Sequence, residues 1–225
     1  MERKKAVVIV SGGVDSSTLL YKAVKDDFET YALTFIYGQK HKREIESAKK
    51  ICGGLVVSHK VIDLSVLKEL LSGSALTDSR VEIPYVPETV EHYETLKTTI
   101  VPNRNSIFLS IAIGYAVSLK ANHVFFGAHH SDRGVYPDCR REFVEAFEEA
   151  EQLANDNSEL VISAPFVDID KSQIVKLGAK LGVPYGETWS CYKGGEMHCG
   201  VCSSCRERKR AFEEAGVADA TEYER

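Results

Sequence analysis

Short, unbroken apolar runs alternate along the first two thirds of the chain with stretches whose apolar residues recur every three or four positions. This alternation predicts a parallel sheet covered by helices, because strands buried on both faces are apolar throughout while a covering helix shows one apolar stripe. Residues 6–10 form the first such run, and a helix is expected over 16–25, behind the glycines that follow it. A second strand is expected over 30–37, then a helix over 39–52 with Ile45, Ala48 and Ile51 on one face. A third strand over 55–62 and a short helix over 64–71 follow.

Residues 72–102 lose this periodicity and carry prolines at 84, 87 and 102. A stretch that long without regular structure reads as an active-site cover or a binding loop. Beyond it the pattern resumes. An apolar, buried helix is expected over 105–119, and a strand over 123–126. An amphipathic helix over 143–153 (Phe143, Phe147, Ala150 and Leu153) and a short strand over 161–163 come next. Asp170 and Gln173 have the spacing of a capping box for a helix carrying Ile174, Leu177 and Leu181 and stopping before Gly182. From residue 186 the composition turns to Gly, Cys and Trp, then returns to a charged helix after Cys205. The expected fold is therefore α/β and Rossmann-like: a nucleotide-binding domain over 1–185, with a small four-cysteine appendix over 186–225.

Composition narrows the function. The balance of 28 Lys+Arg against 33 Asp+Glu gives a net charge of −5, which argues against broad phosphate neutralisation along a nucleic acid. The uncharged stretch 105–119 is too short and too interrupted by Ser and Gly to span a bilayer. The N-terminal apolar run is too short for a signal peptide, so a cytoplasmic protein is expected. Six cysteines in such a compartment point to metal or chemistry rather than disulfides.

Ser11-Gly12-Gly13-Val14-Asp15-Ser16-Ser17 directly follows the first strand and opens the first helix. Two glycines let the backbone turn tightly and approach a ligand, and the helix N-terminus offers unpaired N–H groups to phosphate oxygens. Ser11, Ser16 and Ser17 add hydroxyl donors, and Asp15 is placed to position a magnesium-bound phosphate. No Lys follows the glycines, so this is not the loop that holds a γ-phosphate for transfer, and the glycine spacing does not fit the GxGxxG dinucleotide fingerprint.

Cys191, Cys199, Cys202 and Cys205 bring four soft ligands within reach of one tetrahedral ion. Zinc accepts four thiolates with no open position, which makes such a site structural. An iron–sulfur cluster is the competing occupant, but here the fourth cysteine lies upstream and no Cys-Pro follows. Lys193, Arg206 and Arg208 are placed to offset the thiolate charge, and His198 reads as an exposed bystander.

In the middle of the chain, Arg104 stands between Asn103 and Asn105 just before an apolar helix, where an anionic ligand is its natural partner. Residues 127–140 hold two His, two Asp, two Arg and a Tyr beyond the fourth strand, where ligands of open α/β sheets gather. Asp138 can also be read as the N-cap of the next helix, and Cys139 as packing rather than a nucleophile.

The Ser-Gly-Gly-x-Asp-Ser loop resembles that of the PP-loop ATP pyrophosphatases. Residues 102–108, Gly127, Tyr136-Pro137-Asp138-Cys139-Arg140 and the four clustered cysteines together resemble the 7-cyano-7-deazaguanine synthases of that superfamily. Arg141 stands where that family commonly has Pro, and Asn103 where it has a small residue. The resemblance implies an adenine nucleotide alpha hydrolase-like fold and an ATP-dependent ligase. Such an enzyme turns 7-carboxy-7-deazaguanine and ammonia into the nitrile through adenylated carboxylate and amide intermediates, in queuosine or archaeosine precursor biosynthesis. It assigns Asp15, Ser16 and Lys171 to catalysis. ATP falls to Ser11, Gly12, Gly13, Val14, Asp15, Ser16, Ser17, Arg104 and Gly127, and the deazaguanine to Tyr136, Asp138 and Arg140. One structural Zn²⁺ on Cys191, Cys199, Cys202 and Cys205, Mg²⁺, ATP as co-substrate and a homodimer complete the expectation, with no membrane or nucleic-acid partner. The alternative is another PP-loop enzyme, one that thiolates a tRNA base.

Overall fold

The computed structural model describes residues 3–55, 57–78, 80–83 and 96–224. Five strands, β1 (Lys5–Ile9), β2 (Glu29–Ile36), β3 (Ser58–Asp63), β4 (His123–Phe125) and β5 (Val161–Ser163), form one sheet in the order β3-β2-β1-β4-β5. Every neighbouring pair is parallel, and Val8 at the centre lies opposite both Ala32 and Phe125. Parallel neighbours need long crossovers. Helices α1 (Val14–Lys25), α2 (Arg43–Leu55), α3 (Arg104–Ser118), α4 (Arg141–Ala154) and α5 (Lys171–Leu181) lie between the strands or after the last one, and α6 (Ser203–Ala215) follows them.

Successive strand residues face opposite ways, so β1 feeds two cores. Val7 is buried with Leu109, Ile113 and Val144 of α3 and α4, while Val8 is buried with Leu19, Leu20, Ile51 and Ile174 of α1, α2 and α5. Helices cover both faces, as the apolar runs predict. The chain steps outward from β1 to β3 and then returns to the other side of β1 at β4. That reversal opens a crevice at the carboxyl ends of β1 and β4.

Local chemistry moves several boundaries. α2 starts at Arg43 because Gln39 holds a turn instead: its Oε1 accepts from Tyr37 N at 2.7 Å and its Nε2 donates to Phe35 O at 3.2 Å. The helix then runs through Gly53 and Gly54, so Leu55 ends α2 and β3 begins only at Ser58. Residues 65–69 make a 3₁₀ turn rather than an α-helix. The helix expected to be buried, α3, buries one face through Leu109, Ala112, Ile113 and Ala116 and leaves Val117 41% exposed. Leu153, placed by its spacing on the apolar stripe of α4, lies in the last turn and is 79% exposed. The capping box at α5 forms as the spacing predicts, with Gln173 N donating to Asp170 Oδ1 at 2.9 Å and Asp170 N to Gln173 Oε1 at 3.0 Å.

After residue 186 the chain packs onto the body of the protein through α6. Ala211 and Phe212 of α6 share a buried cluster with Val14, Val175, Val183 and Tyr185. Of the cover expected over 72–102, residues 79 and 84–95 lie outside the described residues. Its described ends pack inward: Ala75 N donates to Thr98 O at 2.7 Å, and Ser74, Ala75 and Thr99 are fully buried. Among the described residues no helix is long and apolar enough to cross a membrane.

Candidate active site and four-cysteine centre

The crevice holds a cavity of about 290 Å³ whose wall includes Ser11, Gly13, Val14, Asp15 and Ser16 from the first loop, Arg104 from α3, and Gly127 and Tyr136 from the segment after β4. Ser11 N donates to Ser16 Oγ at 3.1 Å, and the two serine hydroxyls lie 3.0 Å apart, which closes the loop on itself. Gly13 is the N-cap of α1 and has no side chain to satisfy the first-turn N–H groups, so an anion can take them. Gly12 has a different task. A Cβ there would stand 2.2 Å from Glu44 O and 2.7 Å from Ala48 N, so this glycine lets α2 pack against the loop, and it is off the cavity wall. Ser17 is wholly buried and also off the wall. At Gly127 a Cβ would meet Ser16 N at 3.3 Å, so its bareness lets the β4 loop close onto the start of α1.

Lys171 reaches this loop from the N-terminus of α5. Its Nζ lies 3.2 Å from Asp15 Oδ2 and 2.8 Å from Glu207 Oε2 on α6. Burial alone would lower its pKa, but Asp15 and Glu207 outweigh that and hold it above the ordinary lysine value. Burial likewise opposes the charge on Glu207, and Lys171 overcomes it, keeping that carboxyl below its usual range. Nearby, buried His129 places Nε2 3.8 Å from Asp15 Oδ2 and 3.5 Å from Asp132 Oδ2. Burial raises the Asp132 carboxyl. Asp15 Oδ1 is buried without any hydrogen-bond partner.

The other end of the cavity is aromatic. Phe35 stacks on Phe108 at 4.3 Å, Tyr37 meets Phe108 edge-on at 5.4 Å, and the Arg104 guanidinium sits 5.7 Å over the Tyr37 ring. Glu44 lines this end, and burial pushes its carboxyl from 4.5 to about 7, with Gln39 and Arg104 pulling the other way. Tyr136 holds its hydroxyl 2.6 Å from buried Thr99.

Asp138 and Arg140 are placed differently from the expectation. Neither lies on the cavity wall. Asp138 Oδ2 accepts from Asn105 N at 3.3 Å, at the start of α3, while α4 is capped at Arg140 without any side-chain bond. Asp138 therefore serves the helix before it rather than the one after. Arg140 is exposed and donates from Nε to Arg133 O at 3.0 Å. Cys139 is buried on the wall and accepts from Asn105 Nδ2 at 3.3 Å; burial pushes its thiol well up, which removes the thiolate a nucleophile needs.

The four sulfurs of Cys191, Cys199, Cys202 and Cys205 are buried and lie within 4.8 Å of one another. A tetrahedron of ~2.3 Å metal–sulfur bonds has edges of about 3.8 Å, so the set fits one ion. Cys199 N points to Cys191 Sγ and Cys202 N to Cys199 Sγ, each at 3.4 Å, the backbone support that thiolates need. His198 is a bystander but not an exposed one: it is buried, and its Nε2 accepts from Ser190 N at 3.0 Å. Arg208 does not serve the thiolates either. It is completely buried, and Asp219, Thr188, Ser190 and Tyr185 O take its donors. The centre abuts the cavity, for Trp189, on the wall, donates from N to Gly12 O at 2.9 Å and from Nε1 to Cys191 O at 2.8 Å.

Glu207, Glu44 and Trp189 therefore join the residues singled out from sequence, and within residues 127–140 His129 and Asp132 gain a definite place beside Asp15. The family model of the queuosine biosynthesis protein QueC matches residues 5–216. The chain is 51% identical to the 7-cyano-7-deazaguanine synthase of Caldicellulosiruptor saccharolyticus, over 98% of this chain and 96% of that one. It is also 51% identical to the 7-cyano-7-deazaguanine synthase of Archaeoglobus fulgidus, over 96% of this chain and 88% of the relative. Among solved structures, the NMN synthetase from Francisella tularensis matches with a TM-score of 0.52 over 96% of this chain and 79% of that one, at 14% identity, which is a likeness of fold. With a family model spanning nearly the whole chain and relatives at half identity, this chain belongs to the queuosine biosynthesis protein QueC family.

Proposed function

We propose that this protein is an ATP-dependent ligase that makes 7-cyano-7-deazaguanine from 7-carboxy-7-deazaguanine and ammonia. The observation that carries the reading is the junction of the Ser11–Gly13 turn, the open first turn of α1 and the Lys171 ammonium on one cavity wall. A carboxylate oxygen of the substrate attacks the α-phosphorus of ATP, the α–β bond breaks, and pyrophosphate leaves. Ammonia then attacks the acyl carbon and AMP departs with the carboxylate oxygen, leaving an amide and a proton. A second ATP activates the amide oxygen in the same way, releasing pyrophosphate, and loss of AMP and both amide protons leaves the nitrile.

Ser11, Ser16 and the α1 N–H groups hold the departing phosphates, and Lys171 balances the charge that grows on them. The unpartnered Asp15 Oδ1 suits a phosphate-bound Mg²⁺, which supplies further charge neutralisation when present. Arg104, Tyr136 and the Phe35–Phe108 stack offer a planar, anionic base a cation, a hydroxyl and a flat apolar surface. Asp138 orients α3 beneath them, and Asp138→Asn should act on the base rather than on ATP. Zn²⁺ suits the four thiolates and has a folding role there, and a homodimer is the assembly carried by the family resemblance.

The test is to mix the purified protein with ATP, ammonium and 7-carboxy-7-deazaguanine and to measure AMP, pyrophosphate and nitrile. AMP that forms only with all three present supports the reading. AMP release that instead depends on tRNA and a sulfur donor moves the chain to base thiolation.

A further inference from the structure

We propose that Glu207 is a positioning residue of the ATP-cleaving site: it holds the Lys171 ammonium against the phosphate loop, and so makes the helix that starts within the four-cysteine centre part of the active site. This inference rests on the function proposed above.

Lys171 is the first residue of α5, directly after the capping Asp170. A cation there faces the positive end of the helix dipole, so nothing in its own element keeps it in place. Its stem is long and flexible, and a lysine ammonium is a point charge without the fixed fork of an arginine. Two carboxylates from elsewhere fix it: Asp15 Oδ2 at 3.2 Å from α1, and Glu207 Oε2 at 2.8 Å from α6. Asp15 alone would leave the ammonium free to swing about a single acid. A second acid on another helix defines a point between them, and both acids stand on the cavity wall.

Glu207 is itself held from both sides along α6. Cys202 caps that helix and Cys205 lies in its first turn, both within the four-sulfur cluster. Arg208, the next residue, is buried and bonded to Asp219 and to Tyr185 O. The carboxylate thus stands on a rigid mount, which is what a positioning residue needs. A misplacement of about 1 Å at such a point costs on the order of 100-fold in rate.

The experiment compares the full-length wild type with Glu207→Gln, Glu207→Asp and Lys171→Met, alone and combined. It measures AMP formation, the KM for 7-carboxy-7-deazaguanine, the melting temperature and the metal content. Glu207→Gln should lower kcat by at least about 10-fold with KM for the deazaguanine within about twofold, and with melting and metal unchanged. Glu207→Asp should recover part of the rate. In the Lys171→Met background, Glu207→Gln should cost nothing more, because it acts through that lysine. Wild-type turnover in Glu207→Gln overturns the inference, as do equal losses in Gln and Asp, additive losses with Lys171→Met, or a Gln variant that unfolds or sheds its metal. A wild type that forms no AMP with these substrates would sink the proposed function itself, whereas a working wild type beside an equally fast Glu207→Gln removes only the positioning role.

Discussion

Lys171 and Arg208 are both buried cations held by acids, and their surroundings differ in one respect. Arg208 has no exposed surface, and its donors are taken by Asp219, Thr188, Ser190 and the Tyr185 carbonyl. Lys171 is paired with Asp15 and Glu207 but keeps 11% of its side chain open, on the wall of the cavity. A cation whose partners enclose it fixes a fold. One whose partners flank it on two sides presents charge to whatever enters the third. Residues 207 and 208 are adjacent on α6, so a single helix turn supports one cation of each kind.

This contrast breaks first at Arg208. Arg208→Met leaves the part-buried Asp219 with only Tyr223 and Thr221 N as partners, and removing one partner of a buried pair costs about 3–5 kcal/mol. Denaturant unfolding should show that loss, and because Arg208 helps to mount Glu207, the folded fraction should also turn over more slowly. A smaller effect on folding and a larger one on chemistry are expected at Lys171. Lys171→Met should cut AMP release by roughly 100-fold, the scale of losing one donor to transition-state charge, while the melting temperature stays closer to wild type than that of Arg208→Met. If the two variants lose stability equally, the distinction between enclosed and flanked cations fails.

The mildest effect belongs to Glu44, an acid at the opposite end of the same cavity. Its carboxyl rises from 4.5 to about 7 on burial, so the folded state binds this proton more tightly than the unfolded chain does. Its stabilising contribution is full below about pH 4.5 and declines as pH rises to about 7. Glu44→Gln should remove that decline and melt above the wild type at and beyond neutral pH. Melting curves from pH 4 to 8 decide it, and parallel curves for the two proteins would show that Glu44 is not governed by burial.

The open cation could be singled out from sequence, but its surroundings could not. β1, the phosphate loop, the Asp170–Gln173 box and the four cysteines are local patterns, and each is where short-range spacing puts it. Lys171 was singled out through the family resemblance. Glu207 carries no such mark: it sits in a charged helix and becomes meaningful only when α6 packs against α5. The same holds for Arg208, whose proximity to the cysteines in sequence suggests a thiolate partner while folding gives it Asp219. Asp138, assigned through the resemblance to the deazaguanine and readable also as a cap for the helix after it, bonds to the start of α3, thirty-three residues back, because the loop after β4 folds over that helix. One signal was available: Arg208 follows Cys205 by one helical turn, which puts it on the inner face and makes its neighbour a wall residue.

The bond from Trp189 N to Gly12 O has a consequence for the order of events in the cell. The phosphate loop is synthesised among the first residues, but its carbonyl waits for residue 189 and its acid for Lys171. Contacts so distant along the chain form late, after the local helices and the first strand pairs. A nascent or truncated chain ending before them presents a turn without its lysine or its tryptophan, and so lacks a finished cradle. On the proposed function, nucleotide affinity would therefore report completion, because the loop is finished only when residues 171 and 189 have reached it.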